Sequence, residues 1–573
     1  MTTVEQLKKT AASAIAVGDL EAALAAFQSL ILNAKDDGRL WFNIAMCLRR
    51  LGDNAGAQIH LKRAILCIPN YAAGIHEWAQ LSQEHDNIGP NQAVCCDPLA
   101  PSAWSGRGKR ELDKSNSTAA KTDFQRAVIL QPSSGWYWFY LSLTTRDQPQ
   151  SSLLQSPKAT DAGNLQHMSF LKISITTANA PAEAYEHFGA FLQADGQAEE
   201  AIKHYRNAIT ILPDRPDTHG NLASALIEQG ETKDALEELD EVLRLDPGSA
   251  RARWMRAWIN LSLADFDRAY SDFDAHWQNP DQSSRQHLLK FPLWTGQPID
   301  NPLLIWGETG VGDEILFASL VKEAAQLAQA PVILECEPRL VSLFDRSLDD
   351  VIVIPRTTPP DPRLKRLQPA AQCSSVRLPL FLRQRATDFP HHTGYLKPAT
   401  QYESKVRDQF DKLPAGPLIG ISWWSGNPRT GGRKSILLSE LRPIFECFPN
   451  VQFVSLQYND DGSDIALLRA AGITNLWPNP APNLTASLDG LAAQINAVDA
   501  VVTTVGVNAH MAGALGRPGF VIMQRAPLWY WFRSGCKSPW YPSLKIARED
   551  QIAGFTTAIQ TTMKWLQSHF TDG

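Results

Sequence analysis

The N-terminal half of the chain repeats itself with a period of 34 residues. Gly18 is followed by Gly52 at this distance, and Gly196 is followed by Gly230. Three further pairs have the same spacing: Ala23 and Ala57, Ala201 and Ala235, and Pro213 and Pro247. A period of this length is typical of helical hairpins that stack, so that each unit buries its apolar face against the next. Small alanines allow the paired helices to approach closely, and proline ends the second helix because it lacks an N–H.

The order of glycine, alanine and proline within each unit resembles the tetratricopeptide repeat, which is a helix, a turn and a second helix. The predicted units begin near Val4, Gly38, Pro101, Ala182, Pro216 and Ala250. The stretch 72–100 is a shortened unit, and the stretch 135–181 lacks the punctuation of the others. We therefore predict an all-α tetratricopeptide superhelix over residues 1–283, irregular in these two places.

A superhelix of such repeats has a concave groove that binds extended peptides or helices. Asn43 and Asn221 both fall at the sixth position of a unit, which faces this groove in the resembling family. An asparagine side chain offers two donors and an acceptor, so it can hold a peptide backbone without reading its sequence. We expect both residues to dock an acceptor protein; the alternative is that asparagine merely suits an exposed position.

Composition excludes several classes of function. The 573 residues carry 54 Lys and Arg against 60 Asp and Glu, a net charge of −6, whereas nucleic-acid binding requires a basic surface. The sequence shows no apolar run of 18 residues and no N-terminal signal, so we expect no membrane partner and a cytoplasmic protein. Its 8 cysteines are scattered without metal-binding spacing.

From Pro292 onward the pattern alternates between strands and helices. The apolar run 302–306 precedes a glycine-rich turn, 307–314, and a helical stretch, which is a strand–turn–helix pattern. Further strands are predicted at 332–334, 351–354, 417–423, 451–456, 500–503 and 519–523. We predict two Rossmann-like domains, 284–400 and 401–573, joined by a linker near 396–416. Two such domains bind a ligand in the cleft at the carboxyl ends of their strands.

The glycine-rich turn does not fit the common nucleotide motifs. A dinucleotide-binding G-x-G-x-x-G would need glycine where Ile315 stands, and no Gly-Lys-[Ser/Thr] of a P-loop is present. Nicotinamide oxidoreductases and P-loop NTPases are therefore not supported.

Several ordered blocks between about 290 and 550 resemble the heptosyltransferase-like GT-B glycosyltransferases. They are the turn 306–315, the stretch 421–428, the tripeptide 455–457, the stretch 510–518 and the aromatic stretch 529–542. Repeats fused ahead of such a domain resemble bacterial protein O-glycosyltransferases of the flagellin-modifying type, and the layout is also similar to repeat-bearing O-GlcNAc transferases. The resemblance implies a metal-independent enzyme without a cofactor. It would add a nonulosonic (pseudaminic or legionaminic type) sugar from a CMP donor to Ser or Thr of flagellin.

The resemblance assigns Asp313 as the general base that accepts the proton of the acceptor hydroxyl. A carboxylate at a helix N-terminus beside a cleft suits that role. The alternatives are that Asp313 only caps the helix, or that Glu308 or Glu314 is the base.

The same resemblance and the local chemistry predict a donor-binding set. Its members are Gly310, Gly312, Asn427, Arg433, Lys434, Gln457, Asn508, His510 and Gly513. Cations at 433 and 434 suit a leaving phosphate, and the helix that His510 begins offers N–H groups to an anion. The alternatives are a solvated basic turn and a buried core histidine.

The chain departs from the family where Asp-Thr usually precedes this histidine. Val505 and Gly506 stand there instead. Either the nucleotide differs from ADP, which fits a CMP donor, or donor binding has decayed.

Three functions therefore stay open at the level of sequence. The first is a protein O-glycosyltransferase whose repeats dock the acceptor, the second is a lipopolysaccharide or glycan glycosyltransferase with a repeat partner-binding domain, and the third is a non-catalytic scaffold.

Overall fold

The computed structural model describes residues 4–570 with internal gaps. The gaps are 69–70, 82–92, 96, 146–161, 274, 276–289, 308–309, 390, 427–430, 459–461, 486, 526–527 and 551. The chain divides into two compact units, Met1–Ala225 and Leu226–Gly573, which are described separately. No helix in the described ranges is both long and apolar enough to cross a membrane.

The first unit is built of antiparallel helix pairs. Its helices are α1 (Val4–Ala16), α2 (Leu20–Ile31), α3 (Gly38–Arg50), α4 (Asn54–Cys67), α5 (Ala72–Leu81), α6 (Pro101–Asp113), α7 (Ser117–Leu130), α8 (Gly135–Leu143), α9 (Ala162–Thr176), α10 (Ala182–Ala194) and α11 (Ala198–Ile211), and α12 (Pro216–Gln229) crosses into the second unit. The predicted helical array is confirmed.

The 34-residue period has a local cause in the turns between paired helices. Gly18 and Gly52 adopt φ values of 78° and 88°, in the left-handed region that ends a helix at little cost only for glycine. Asp19 and Asp53 follow them and cap the next helix by accepting the backbone N–H groups of residues 22 and 56. The periodic alanines are fully buried where the helices meet.

Of the stretch 72–100, predicted to be a shortened unit, the structure describes α5, and residues 82–92 lie outside the described part of the chain. The stretch 135–181 holds α8 and α9, which pair with each other although the glycine and alanine markers are missing. The aromatic residues of α8 and α9 form the contact instead, including Trp138 with Phe170 at a ring-centroid distance of 5.8 Å.

The second unit begins with helices of the repeat array. α13 (Thr232–Leu245), α14 (Ala250–Ser262) and α15 (Phe266–Phe273) continue the helical pairs. Apolar side chains of α14 and α15, including Leu261, Phe266 and Phe273, belong to the same buried core as strand residues Leu303 and Ile305. The last repeat is thus continuous with the α/β part, and the boundary predicted at 283/284 falls within the undescribed residues 276–289.

The first sheet has four parallel strands in the order β3-β2-β1-β4. The strands are β1 (Leu303–Trp306), β2 (Val332–Cys336), β3 (Val351–Pro355) and β4 (Ala371–Ser374), and the helices between and after them are α16 (Val311–Ala318), α17 (Val321–Ala328), α18 (Val341–Ser347), α19 (Leu364–Leu367) and α20 (Pro379–Leu382). β1 to β3 were predicted, whereas β4 was not because its Ala-Gln-Cys-Ser sequence has no apolar run.

The second sheet has six parallel strands in the order β10-β9-β8-β5-β6-β7. Its strands are β5 (Leu418–Ser422), β6 (Gln452–Ser455), β7 (Leu476–Trp477), β8 (Ala500–Thr504), β9 (Gly519–Met523) and β10 (Leu544–Arg548). Its helices are α21 (Thr400–Phe410), α22 (Gly431–Lys434), α23 (Arg442–Cys447), α24 (Ser463–Ala470), α25 (Pro482–Thr485), α26 (Leu488–Ala497), α27 (Val507–Ala514) and α28 (Thr556–Phe570).

Counted from β5, this order is the doubly wound 3-2-1-4-5-6 arrangement, in which the strand order reverses between β5 and β8. The predicted fold class, a helical array followed by two Rossmann-like α/β parts, is confirmed. The stretch 396–416 is more than the predicted linker, because α21 buries Val406 and Phe410 in the shared core.

The two sheets are packed closely enough to share buried side chains. Helix α16, which follows β1, contacts helix α27, which follows β8. Residues of both halves contribute to one core, among them Ile315 and Leu316 from α16 and Ala509 and Met511 from α27. The N-termini of these two helices therefore lie next to each other at the carboxyl ends of their strands.

Candidate active site

A cleft of about 1130 Å³ lies at the carboxyl ends of the strands of both sheets. The segments after β1 and β2 line one side, and those after β5, β6, β7, β8 and β9 line the other. This is the position at which doubly wound folds bind nucleotides, because the reversal of strand order leaves a crevice there. The predicted location of the ligand cleft agrees with this geometry.

Asp313 lines the cleft from the first turn of α16. Its Oδ2 accepts the backbone N–H of Gly310 at 3.1 Å, so the carboxylate caps its own helix. Its Oδ1 accepts a second hydrogen bond, 2.5 Å long, from the hydroxyl of Tyr530. A carboxylate has about four lone-pair sites, so one that serves as a cap can still accept a substrate hydroxyl.

Tyr530 was not predicted, although it lies within the aromatic stretch that carried the family resemblance. It belongs to a short 3-10 helix, Trp529–Trp531, and only 4% of its surface is exposed. Burial, and secondarily the Asp313 charge, raise the pKa of the Tyr530 hydroxyl well above its usual value of 10. The hydroxyl therefore keeps its proton and acts as a donor to Asp313.

Glu314 points away from the cleft into a buried ion pair. Its Oε1 lies 2.6 Å from a guanidinium nitrogen of Arg356, and its Oε2 accepts the backbone N–H of Glu337 at 2.7 Å. Burial raises the pKa of the Glu314 carboxyl, and the hydrogen bond from the Glu337 backbone and the charge of Arg356 oppose that shift. Arg356 also donates to the carbonyl oxygen of Gly307. Glu314 thus ties the turn after β1 to the end of β2.

Lys434 lines the opposite side of the cleft at the end of α22. Burial lowers the pKa of the Lys434 ammonium, and the nearby charge of Asp313 opposes that shift. Within the described residues, its ammonium makes no hydrogen bond or ion pair. A desolvated cation without a bonded partner favours an anionic ligand.

Glu308 and Asn427 lie outside the described residues, as does the side chain of Arg433.

His510 is buried in α27, with 2% of its surface exposed, and still borders the cleft. Its Nδ1 shares a hydrogen bond of 3.0 Å with the hydroxyl of Tyr541. The rings of Tyr530 and Trp531 lie at centroid distances of 5.5 and 5.3 Å. Burial lowers the pKa of His510 to about 4; Lys434 adds to that shift and Asp313 opposes it. The imidazole is therefore neutral at pH 7 and does not supply a positive charge.

The predicted donor-binding glycines have three different surroundings. Gly310 borders the cleft as the residue that Asp313 caps. Gly312 borders it too and packs against the ring of His510, so that an added Cβ would lie 2.8 Å from Cδ2 of that ring. Gly513 is not among the cleft-lining residues, and an added Cβ there would overlap the ring of Tyr541.

The side chains of Gln457 and Asn508 border the cleft but are bonded to backbone. Gln457 accepts the N–H of Trp424 at 3.0 Å and donates to its carbonyl oxygen at 2.9 Å. Asn508 donates to the carbonyl oxygen of Leu456 at 3.2 Å. Both residues therefore hold the loops after β5 and β6 in place.

Two exposed aromatic rings in these loops were missed as site residues. Trp424 and Tyr458 are 45% and 40% exposed, and their ring centroids are 6.1 Å apart. The hydroxyl of Tyr458 accepts the N–H of Gly426 at 2.9 Å, which fixes the ring over the loop after β5. Large exposed rings in a cleft suit stacking against a planar or sugar ligand. Their signal in the sequence was a tryptophan or tyrosine within two residues after a predicted strand.

Val505 and Gly506, which replace the family's Asp-Thr, join β8 to α27 and border the cleft. Val505 is buried, with 1% of its surface exposed, and belongs to the core shared by both sheets. The position thus offers backbone groups and an apolar side chain, with no carboxylate facing the ligand.

The predicted docking residues both lie in the first unit. Asn43 is on α3 and Asn221 is on α12, and each is half-buried. Their groove-facing role stays a prediction.

In the described part of the chain, no three metal-ligating side chains cluster. Metal independence also stays a prediction.

Comparison with known proteins identifies the repeats. Tetratricopeptide repeat family models match residues 9–74 and 192–259. The chain is also similar to the TPR repeat-containing thioredoxin TTL4 of Arabidopsis thaliana, with 33% identity over 100 residues, 18% of this chain and 15% of that protein. The helical array therefore contains tetratricopeptide repeats in these two ranges, as predicted.

A longer similarity extends beyond the repeats. Protein FlbA of Caulobacter vibrioides is 27% identical over 395 residues, which are 65% of this chain and 65% of FlbA. The chain thus spans less than two thirds of the length of these curated relatives. Among solved structures, ADP-heptose lipopolysaccharide heptosyltransferase II of E. coli is 17% identical, with 47% of this chain and 98% of that chain covered and a TM-score of 0.36.

Proposed function

We propose that the chain is a protein O-glycosyltransferase that transfers a sugar from a nucleotide donor to a Ser or Thr hydroxyl. The observation that carries this proposal is the pairing of Asp313 and Lys434 across one cleft. A carboxylate follows the first strand of one sheet, and a desolvated cation follows the first strand of the other. Transfer of a glycosyl group from a phosphate needs a base and a cation in this arrangement.

The reaction follows from the roles of these two groups. Asp313 accepts the proton of the acceptor hydroxyl as the oxygen attacks the anomeric carbon of the sugar. The bond between that carbon and the donor phosphate breaks, and the nucleotide leaves with the electron pair. Lys434 stabilises the negative charge that develops on the leaving phosphate, and being already desolvated it needs little reorganisation to do so.

The donor is proposed to be a CMP-linked nonulosonic sugar, on the resemblance given above. A single phosphate needs fewer contacts than the diphosphate of an ADP- or UDP-sugar. That requirement is consistent with the described cations of the cleft, where Lys434 is unpaired and Arg339 is paired with Glu337, and with Val505 and Gly506 in place of the family's polar pair. Trp424 and Tyr458 are suited to stack on the cytosine or on the sugar.

The acceptor is proposed to be flagellin, bound by the tetratricopeptide repeats. A repeat array suits a protein acceptor, since its stacked helices present an extended surface to a polypeptide. The cysteines that the structure describes are free thiols, which supports a reducing compartment and a cytoplasmic reaction.

The test compares the intact mass of the host's flagellin with and without this chain. Loss of a set of sugar masses is the expected result, and the mass difference names the sugar. Unchanged flagellin together with an altered lipopolysaccharide or glycan would identify a saccharide acceptor instead. Calorimetry with CMP, UDP and ADP on the purified chain completes the test: tight ADP binding contradicts the CMP donor, and binding of no nucleotide indicates a scaffold.

A further inference from the structure

The aromatic segment 528–533 connects the last tetratricopeptide repeat with the candidate base. Tyr530, at its centre, donates its hydroxyl proton to Oδ1 of Asp313 over 2.5 Å. The two residues are 217 positions apart, so the contact exists only when both halves of the α/β part are assembled. The ring of Tyr530 is confined by His510 and Phe317, at centroid distances of 5.5 and 6.4 Å. Its hydroxyl can therefore move little relative to Asp313.

The same segment is held from the other side by the repeat helices. The backbone N–H of Arg533 donates to the carbonyl oxygen of Ser262, the last residue of α14, at 2.9 Å. The ring of Phe266 on α15 meets the ring of Phe532 edge-on at 6.4 Å. The side chain of Arg533 donates to the carbonyl oxygen of Ile227 on α12 at 3.5 Å, and Arg525, just before the segment, donates to Gln229 on the same helix at 3.0 Å. Three repeat helices thus contact the stretch that carries Tyr530.

The backbone of this segment is strained at Phe532. This residue has φ 52° and ψ 159°, a region that non-glycine residues rarely occupy. Arg548 of β10 donates to the carbonyl oxygens of Trp531 and Phe532, at 2.9 and 2.8 Å, and holds them from the side of the sheet. A strained conformation persists only where the surroundings determine it strongly. Here β10 and the repeat helices supply those surroundings together.

We infer that Tyr530 is the positioning residue of Asp313, and that the last tetratricopeptide repeat holds Tyr530 in place. The repeats would then contribute to the chemical step as well as to docking of the acceptor. This inference rests on the proposed function, because it takes Asp313 as the base. The hydroxyl of Tyr530 leaves Asp313 with one oxygen bonded to Gly310 and the other to Tyr530, which fixes the plane of the carboxylate for the incoming hydroxyl.

The first experiment compares Tyr530→Phe with Tyr395→Phe in the full chain. Tyr395 donates its hydroxyl proton to the carbonyl oxygen of Ile315, on the same helix as Asp313, at 2.7 Å. Both variants lose a hydrogen bond to α16, but only Tyr530→Phe loses one to Asp313. We expect a fall in kcat of about 10- to 100-fold in Tyr530→Phe, the size of a hydrogen bond to a charged group. Donor affinity by calorimetry and the thermal midpoint should match those of Tyr395→Phe.

Asp313→Asn, measured in parallel, separates the two proposals. If Asp313→Asn loses transfer while Tyr530→Phe turns over like Tyr395→Phe, Tyr530 does not position the base, and the proposed function stands. Normal turnover in Asp313→Asn would overturn the base assignment and with it this inference. Phenylalanine at position 530 keeps the packing of the ring, so we expect the Tyr530→Phe variant to fold. Nucleotide binding by this variant is the control for a folded cleft.

A double-mutant cycle tests the contribution of the repeats. Phe266→Leu keeps an apolar side chain on α15 but removes the ring that contacts Phe532. We expect Phe266→Leu to lower kcat in the wild-type chain and to cause no further loss in the Tyr530→Phe chain, because both changes act through the same hydroxyl. Equal losses in both backgrounds, or no loss in either, would show that the last repeat does not act through Tyr530.

Discussion

The imidazole of His510 lies so close to Gly312 that a Cβ at Gly312 would be 2.8 Å from Cδ2 of the ring. This contact joins the first turn of α16, which follows the first sheet's β1, to α27, which follows the second sheet's β8. Asp313 is the residue after Gly312, so the packing of α16 against α27 also sets the position of the candidate base. A single added methyl group at this point therefore disturbs both halves of the cleft.

Gly312→Ala is expected to lower the free energy of unfolding by about 1–3 kcal/mol, the usual cost of overpacking a well-packed contact. Gly310→Ala is the matched control, because its Cβ would meet only Oδ2 of Asp313 at an ordinary 3.7 Å. Chemical denaturation of both variants measures the difference. Equal stability of the two variants would mean that the His510 ring moves aside freely.

Asp313→Ala is expected to lower transfer by about 10²–10⁴-fold, the usual effect of losing a general base. The chain should still fold and dock the acceptor, with a stability loss of about 1–3 kcal/mol, because Asp313 caps its helix and accepts the hydroxyl of the buried Tyr530. Glu314→Ala provides the contrast: it removes the buried partner of Arg356, which keeps Glu337 at 3.6 Å, so we expect a stability loss of about 1–3 kcal/mol. Kinetics and denaturation of both variants separate the roles. Near-normal turnover of Asp313→Ala would show that the carboxylate is only a helix cap.

Lys434→Ala is expected to weaken nucleotide binding and to lower kcat, because the cation interacts most strongly with the phosphate as it leaves. Lys405→Ala, on the exposed surface of α21, is the control for loss of a positive charge. Calorimetry with CMP at two salt concentrations measures affinity and its ionic component. If both lysine variants bind CMP equally well, the phosphate is held elsewhere in the cleft.

His510 is expected to make stability depend on pH in mildly acidic solution. Burial lowers its pKa from the usual 6.5 to about 4 in the folded protein. Between these two values the unfolded chain binds a proton that the folded chain does not, so the free energy of unfolding falls as the pH drops from 6.5 toward 4. His510→Gln should make this pH dependence shallower than in the wild-type chain, because the variant lacks the buried imidazole. Denaturation of both chains across this pH range measures the difference; identical slopes would contradict a neutral buried imidazole.

Asn43→Ala combined with Asn221→Ala is expected to weaken docking of flagellin without changing nucleotide affinity. Each substitution removes donors and an acceptor that can bond to a peptide backbone, at about 0.5–1.5 kcal/mol per hydrogen bond. Asn33→Ala, at an exposed position after α2, is the control. Surface plasmon resonance with immobilised flagellin measures the effect. Affinity equal to that of the control would remove the asparagines from the docking surface.

The positions of two site residues follow from local sequence, while their roles stay predictions. The glycine-rich turn predicts Asp313 at the start of a helix, and the basic turn predicts Lys434 after the first strand of the second sheet; both line the cleft. The partners of these residues were not predictable in the same way. Glu314 was a candidate base by its position in the motif, but only the structure pairs it with Arg356. Gln457 and Asn508 have the expected polar side chains, but in the structure these side chains form hydrogen bonds to the backbone of the loops.

By itself, the sequence determined the repeat array and the alternation of strands and helices. Its markers are local: a left-handed φ at Gly18 or Gly52 and a buried alanine at the next helix contact are set within one 34-residue unit. Only the tertiary structure decided that the last repeat shares its core with the first sheet and that Tyr530 bonds to Asp313. Such contacts join positions far apart in the chain, and no periodic pattern records which two distant segments will meet.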